Sequence, residues 1–128
     1  MKLLLDTHTF IWWDSEPTRL SETALALCND SANELLLSVT SLWEMQIKRQ
    51  LGKLSLRLPL QDIVAHQQAT NGVILLPIAE EHIYRLDGLP SPHKDPFDRL
   101  LVAQASSEGA VLVSTDPIFG SYPVEVIW

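Results

Sequence analysis

The sequence has one cysteine, Cys28, among its 128 residues, so no internal disulfide can form. Neither a thiolate zinc site nor dithiol redox chemistry has a partner to work with, and the usage fits the reducing cytoplasm. Long apolar runs are also missing, and no stretch approaches the roughly 20 residues that a bilayer-spanning helix takes. The apolar opening, Met1 to Leu5, is interrupted by Asp6 and His8 well short of a signal-peptide core. There is no internal repeat, low-complexity tract or long run of like charge. Positive charge is scarce: 9 Lys and Arg stand against 16 Asp and Glu, for a formal net charge of −7. That balance is the wrong sign for holding nucleic acid by bulk electrostatics, unless several acids converge on bound cations that invert the local field.

What is present is enough apolar material, 46% of residues, to bury one core and too little chain for two, so residues 1–128 are expected to form one domain. Short β-like runs fall at Lys2–Leu5, Leu35–Val39, Val73–Leu76, Ala110–Ser114 and Val124–Ile127. Each is apolar nearly throughout instead of alternating, which suits strands covered on both faces by helices, as in a parallel sheet. Helical patterns lie between them. One follows Ser21 as cap, with Leu20, Ala24, Leu27 and Cys28 at helix spacing, and another starts near Ser41. A third has Pro59 in its first turn and stops at Asn71-Gly72, a short one passes through Ile83 and Leu86, and the last opens at Asp95-Pro96 and runs to about Gly109. The segment Gly88-Leu89-Pro90-Ser91-Pro92-His93-Lys94 is broken by its prolines and glycine. The fold class expected is α/β: a three-layer α/β/α domain around a parallel sheet of about five strands, with right-handed crossovers.

In such a sheet the strands' C-termini and the helices' N-termini share one edge, where ligands bind. Asp6 closes the first strand, Asp116 follows the fourth after Thr115, and Glu44 and Asp98 are expected in the first turns of their helices. Two carboxylates about 4 Å apart repel by roughly 4 kcal/mol at an effective dielectric near 20, so a meeting of four calls for a cation. All-oxygen ligands suit Mg2+ or Mn2+ better than zinc. Such ions can bind a phosphodiester, activate a water and stabilise a leaving oxygen.

Each acid also has a purely structural reading. Glu44 stands three residues after Ser41, the spacing of a capping box, and Asp98 stands three after Asp95. Asp116 precedes Pro117 and fits a turn. Asp6 is the hardest to explain structurally, because a carboxylate ending a buried strand needs a partner. Glu80 and Glu81 also fall near this edge.

Four segments in order carry a resemblance: Leu4-Leu5-Asp6-Thr7-His8, Ser38-Val39-Thr40-Ser41-Leu42-Trp43-Glu44, His93-Lys94-Asp95-Pro96-Phe97-Asp98-Arg99 and Leu112-Val113-Ser114-Thr115-Asp116. With them the chain resembles, over essentially its whole length, PIN-domain ribonucleases, and more narrowly VapC-type toxins of bacterial toxin–antitoxin pairs. The resemblance implies a metal-dependent endoribonuclease whose catalytic, metal-binding acids are Asp6, Glu44, Asp98 and Asp116. Ser114 matches the family's hydroxyl residue and would hold a ligand or a water. In Asp95-Pro96-Phe97-Asp98 two acids compete for one role, and Asp98, one turn inside the helix, is favoured. RNA as substrate, a small VapB-like antitoxin as partner and a homodimer are implied in the same way, with no membrane association.

Nearby residues add weaker expectations. Lys94 and Arg99 flank the acid pair and could touch phosphates, while Lys48, Arg49, Lys53 and Arg57 make either a basic patch or a solvated helix face. Trp12, Trp13 and Trp43 serve a groove, a base stack or the core. His8 and His93 receive no role, because a two-metal mechanism needs no histidine base. Two other classes compete. A haloacid-dehalogenase-like phosphatase also ends its first strand in Asp but needs a second Asp two residues on, where this chain has His8. A receiver-like, non-enzymatic metal-binding domain needs a paired acidic site by the first strand and a central-strand phosphoacceptor, and neither is evident.

Overall fold

The computed structural model describes all residues, Met1–Trp128. Its sheet has five strands, β1 (Lys2–Leu5), β2 (Glu34–Ser38), β3 (Ile74–Leu76), β4 (Val111–Val113) and β5 (Val126–Ile127), in spatial order β3-β2-β1-β4-β5 with every neighbouring pair parallel. Six α-helices connect them: α1 (Thr7–Ser15), α2 (Glu22–Asn29), α3 (Val39–Gln50), α4 (Leu60–Asn71), α5 (Glu80–Arg85) and α6 (Pro96–Glu108). No helix is long and apolar enough to cross a membrane.

Successive side chains of a strand point to opposite faces, so a strand apolar throughout must find cover on both. Leu3, Leu5, Leu35, Leu37, Val111 and Val113 face one layer, where Phe10 and Trp13 of α1, Ala24 and Cys28 of α2, Met45 of α3 and Ile63 of α4 pack on them. Leu4, Leu36 and Leu112 face the other, against Leu101, Val102 and Ala105 of α6 together with Phe119 and Tyr122. The expected three layers are therefore present, and the apolar runs mark where the strands lie.

Helix ends follow their capping chemistry. Ser21 accepts the Ala24 amide at the start of α2, and Gly72 and Gly109 close α4 and α6 at φ 65° and 64°, a backbone region that costs glycine little. Two expectations need correction. Helix α1 had no counterpart in the apolar pattern, and α3 starts at Val39, two residues before the expected Ser41. Its cap is Ser38, whose Oγ accepts the Thr40 amide at 2.9 Å.

The strand order places a topological switch beside β1: the chain goes from β1 to β2 on one side and later returns to β4 on the other. Asp6 follows β1 and Ser114 follows β4, so these two residues flank the crevice that the reversal opens.

Candidate active site

Asp6 both ends β1 and caps α1. Its Oδ1 accepts the Thr7 amide at 2.7 Å and its Oδ2 accepts the Ser114 hydroxyl at 2.8 Å, while its own amide donates to the Val113 carbonyl at 3.1 Å. Both carboxyl oxygens are thus held while the residue is buried. Burial pushes the carboxyl above its ordinary value of 3.8, a rise that the Ser114 bond opposes and the nearby Glu44 charge reinforces.

Glu44 lies in the second turn of α3, because the helix begins at Val39. The expected capping box with Ser41 is therefore absent. Ser41 is buried inside the helix, its hydroxyl 2.9 Å from that of Thr7. Thr7 has one hydroxyl proton, and Glu44 Oε1 at 2.7 Å is an acceptor only, so Thr7 donates to Glu44 and Ser41 donates to Thr7. The Lys48 ammonium, one turn on, sits 2.8 Å from the other oxygen, Oε2.

At the start of α6 the two acids separate. Asp95 Oδ1 accepts the amides of Phe97 at 2.9 Å and Asp98 at 3.0 Å, making Asp95 the cap. Asp98 Oδ2 meets His93 Nε2 at 3.1 Å. Burial raises the Asp98 carboxyl to about 6; the His93 bond works against this, and the charges of Asp95, Asp6 and Glu44 add to it. Asp6, Glu44 and Asp98, carried by three separate elements, therefore lie within electrostatic reach of one another. Asp116 stays at the rim. It is exposed, its carboxyl accepts the Ile118 amide at 3.1 Å, and it joins the group through its own amide, which donates to Ser114 Oγ at 3.1 Å.

The flanking cations divide by use. Lys94 is exposed, whereas Arg99 donates to the Pro90 carbonyl at 2.7 Å and to the Tyr122 hydroxyl at 3.3 Å. Lys48 is spent on Glu44, and Arg57 forms two bonds of 2.8 Å with Asp14, so the basic patch is broken up by partners. Trp13 is core, while Trp43 is 57% exposed and packs its ring edge-on against Phe97, centroids 5.1 Å apart.

The donors at this edge are carboxylates and hydroxyls, with no sulfur and with no lysine or arginine bonded to Asp6 or Asp98, and that set fits Mg2+ or Mn2+. Their ligand oxygens are not drawn as close as 4.8 Å in any trio; that spacing occurs only in Glu81, His82 and Glu108. The second trio does not fit a cation. His82 Nδ1 accepts the Ala79 amide at 2.9 Å, which leaves the ring proton on Nε2, 3.2 Å from Glu108, where a metal would need a lone pair. Lys2 also stands by Glu108. Since Lys2 opens β1, Glu81 groups with the opposite end of the sheet and not with the acids at the strands' C-termini.

Sequence reasoning gave Thr7 and Tyr122 no part, read Ser41 as a helix cap and set His93 aside. No motif signals a Thr–Ser–Glu relay across 37 residues, although His93 stands five residues before Asp98 in an irregular segment free to fold back on it.

A PIN-domain family model matches residues 3–125. Ribonuclease VapC22 of Mycobacterium tuberculosis (strain ATCC 25618 / H37Rv) is 32% identical over 115 residues, which cover 89% of this chain and 86% of that protein. In fold the chain is similar to VapBC2 from Rickettsia felis bound to a DNA fragment from their promoter, with a TM-score of 0.74 at 16% identity over 99% of this chain and 98% of that one. It is also similar to a toxin–antitoxin complex from Klebsiella pneumoniae, with a TM-score of 0.61 at 16% identity over 98% and 96%. Because the family match takes in nearly the whole length and the strand order sets its acids at the switch point, the chain belongs to the PIN-domain family, alongside the VapC-type ribonucleases.

Proposed function

We propose that the chain is a single-domain, Mg2+- or Mn2+-dependent endoribonuclease acting in the cytoplasm as the VapC-type toxin of a toxin–antitoxin pair. Asp6, Glu44, Asp98 and Asp116 are its metal-binding acids. The observation that carries this reading is the convergence of Asp6, Glu44 and Asp98 at the sheet's C-terminal edge, where the charge of Glu44 raises the carboxyls of Asp6 and Asp98 and the charge of Asp6 adds to the rise at Asp98. The relationship to a VapC ribonuclease supports RNA as the substrate. The fold shared with a toxin–antitoxin complex supports a small protein partner that covers the site. A phosphatase of the haloacid-dehalogenase kind is not favoured, since His8, exposed, occupies the place of its acid catalyst.

Asp6, Glu44, Asp98 and Asp116 would hold a divalent cation, which would supply positive charge to a phosphodiester and make water a better nucleophile. The chain's own residues prepare that site. Thr7 and Ser114 fix both oxygens of Asp6, the Thr7 hydroxyl fixes one oxygen of Glu44, and Ser41 in turn fixes Thr7. This hydroxyl scaffold limits the rotamers of two acids before any substrate arrives, which is how a site keeps its reacting groups in place. Lys48 offsets one negative charge, and the exposure of Lys94 just before α6 supports a contact with phosphate.

The test is cleavage of a mixed RNA pool by the purified, partner-free chain in the presence of Mn2+ or Mg2+. Cleavage that EDTA abolishes is expected. A folded chain that leaves the RNA intact at every metal concentration would remove the reading.

A further inference from the structure

His93 stands in the irregular segment before α6, and both of its ring nitrogens are engaged. Nε2 lies 3.1 Å from Asp98 Oδ2 and Nδ1 lies 2.8 Å from the Tyr122 hydroxyl. On the far side of Tyr122, Arg99 Nη1 approaches the same hydroxyl at 3.3 Å and holds the Pro90 carbonyl at 2.7 Å. The protons of this chain have one consistent direction. Arg99 has only donors, so the Tyr122 oxygen accepts from it and is free to turn its own proton to His93 Nδ1. Nδ1 is then an acceptor, the ring proton resides on Nε2, and Nε2–H donates to Asp98. Asp98 Oδ1 makes no hydrogen bond within the chain, so the bond to Oδ2 leaves one oxygen of this carboxylate held and the other open.

We propose that His93 is a positioning residue for Asp98, and that Tyr122 and Arg99 set its tautomer. This inference rests on the ribonuclease reading above and deepens it: His93 fixes the rotamer of the acid in the α6 first turn and leaves Oδ1 as the oxygen that would hold a cation. The neutral ring suffices, since its Nε2–H is a donor without any change of charge. The irregular segment contributes through Pro90, whose carbonyl anchors the Arg99 guanidinium, and Tyr122 is buried and packed edge-on to the His93 ring with centroids 5.6 Å apart. The positioning unit is thus built from three parts of the chain and is stiff because its members are packed. Hydrogen-bond partners of metal-binding carboxylates contribute on the order of 10–100-fold in metal affinity or activity.

The experiment uses the full chain and the variants His93→Phe, His93→Gln and Tyr122→Phe. It reads Mn2+ affinity by calorimetry, RNA cleavage at saturating and subsaturating RNA, melting, and the His93 tautomer from 15N shifts with EDTA present. Expected are the Nε2–H tautomer in the wild type, about a 10–100-fold loss of Mn2+ affinity and of kcat in His93→Phe with KM for RNA little changed, and recovery in His93→Gln, whose side-chain amide keeps a donor. Tyr122→Phe should give a mixed tautomer and an intermediate loss. Wild-type Mn2+ affinity and kcat in a folded His93→Phe would overturn the proposal, as would an Nδ1–H tautomer in the wild type. A wild type that binds no Mn2+ and cuts no RNA overturns the ribonuclease reading instead, and the tautomer then decides whether the Arg99–Tyr122–His93 chain exists.

Discussion

Asp95 and Asp98 share one helix start and differ in what their oxygens touch. Asp95 spends its carboxylate on two backbone amides of α6, and Asn caps a helix about as well. Asp95→Asn should therefore keep most of the cleavage rate, whereas Asp98→Asn should lose it nearly completely while the chain stays folded. Single-turnover cleavage of one RNA by both variants checks this, and a dead Asp95→Asn beside an active Asp98→Asn would reverse the assignment. The same residue predicts a pH dependence. The folded chain holds the Asp98 proton up to about pH 6 against an ordinary value of 3.8. Between these values the folded state binds more protons than the unfolded one, so this group adds stability as pH falls through about 6 and withdraws it as pH rises. Without added metal, the melting temperature of the wild type relative to Asp98→Asn should climb steadily from about pH 7 to pH 4. A difference that is flat across that range would show that Asp98 titrates as an ordinary exposed acid.

At the scale of elements, what was legible followed from periodicity and caps. Strands β1 to β5 were read from apolar runs within two residues at either end, and α2, α4 and α6 from Ser21, Gly72, Asp95 and Gly109. Helix α1 was not legible because Thr-His-Thr-Phe-Ile-Trp-Trp-Asp-Ser has no polar face: Thr7, Thr9, Phe10 and Trp13 are all buried, Thr9 by a hydroxyl bond to the Val113 carbonyl. Its cap is Asp6, a residue read only as a candidate ligand. In α3, Val39 and Thr40 are β-branched and prolong the strand pattern, which moved the expected start to Ser41 and made Glu44 look like a capping partner. Topology brought the candidate acids to one edge, but the hydroxyls that bond Asp6 and Glu44 depend on tertiary packing that no local pattern encodes. One such tertiary link joins three elements: Asp14 of α1 accepts two bonds from Arg57, in the α3–α4 connection, and one from Gln67 of α4. Burial would raise the Asp14 carboxyl, and the bonds from Arg57 and Gln67 outweigh it and hold the carboxyl below its ordinary value. Arg57→Ala should lower the melting temperature at neutral pH. Because a depressed carboxyl stabilises the fold above its unfolded pKa and loses that effect in acid, the deficit should shrink as pH falls below about 4. A deficit that stays constant as the pH falls would show that Arg57 acts by packing alone.

For the molecule as a whole, the net charge of −7 sets a condition on function. An RNA approaching this chain meets a like-charged surface, and the acids that would carry the chemistry lie where the phosphate must come closest. Cations that merely screen can reduce this repulsion over a Debye length of about 8–10 Å at 0.1–0.15 M salt, but they cannot make the edge attractive. Divalent ions bound by Asp6, Glu44 and Asp98 would change the sign of the field at that point. Two measurements follow from the difference. Millimolar Mn2+ or Mg2+ should raise the melting temperature, since a ligand at 100 times its Kd stabilises the folded state by about 2.7 kcal/mol, and the rise should vanish in the Asp6→Asn/Asp98→Asn double variant. RNA association, followed with a non-cleavable strand carrying 2′-O-methyl groups, should be strengthened by Ca2+ or Mn2+ well beyond what NaCl achieves at equal ionic strength. If the two salts act alike, the acids do not hold cations against the substrate, and the charge reversal on which the nuclease reading depends does not occur.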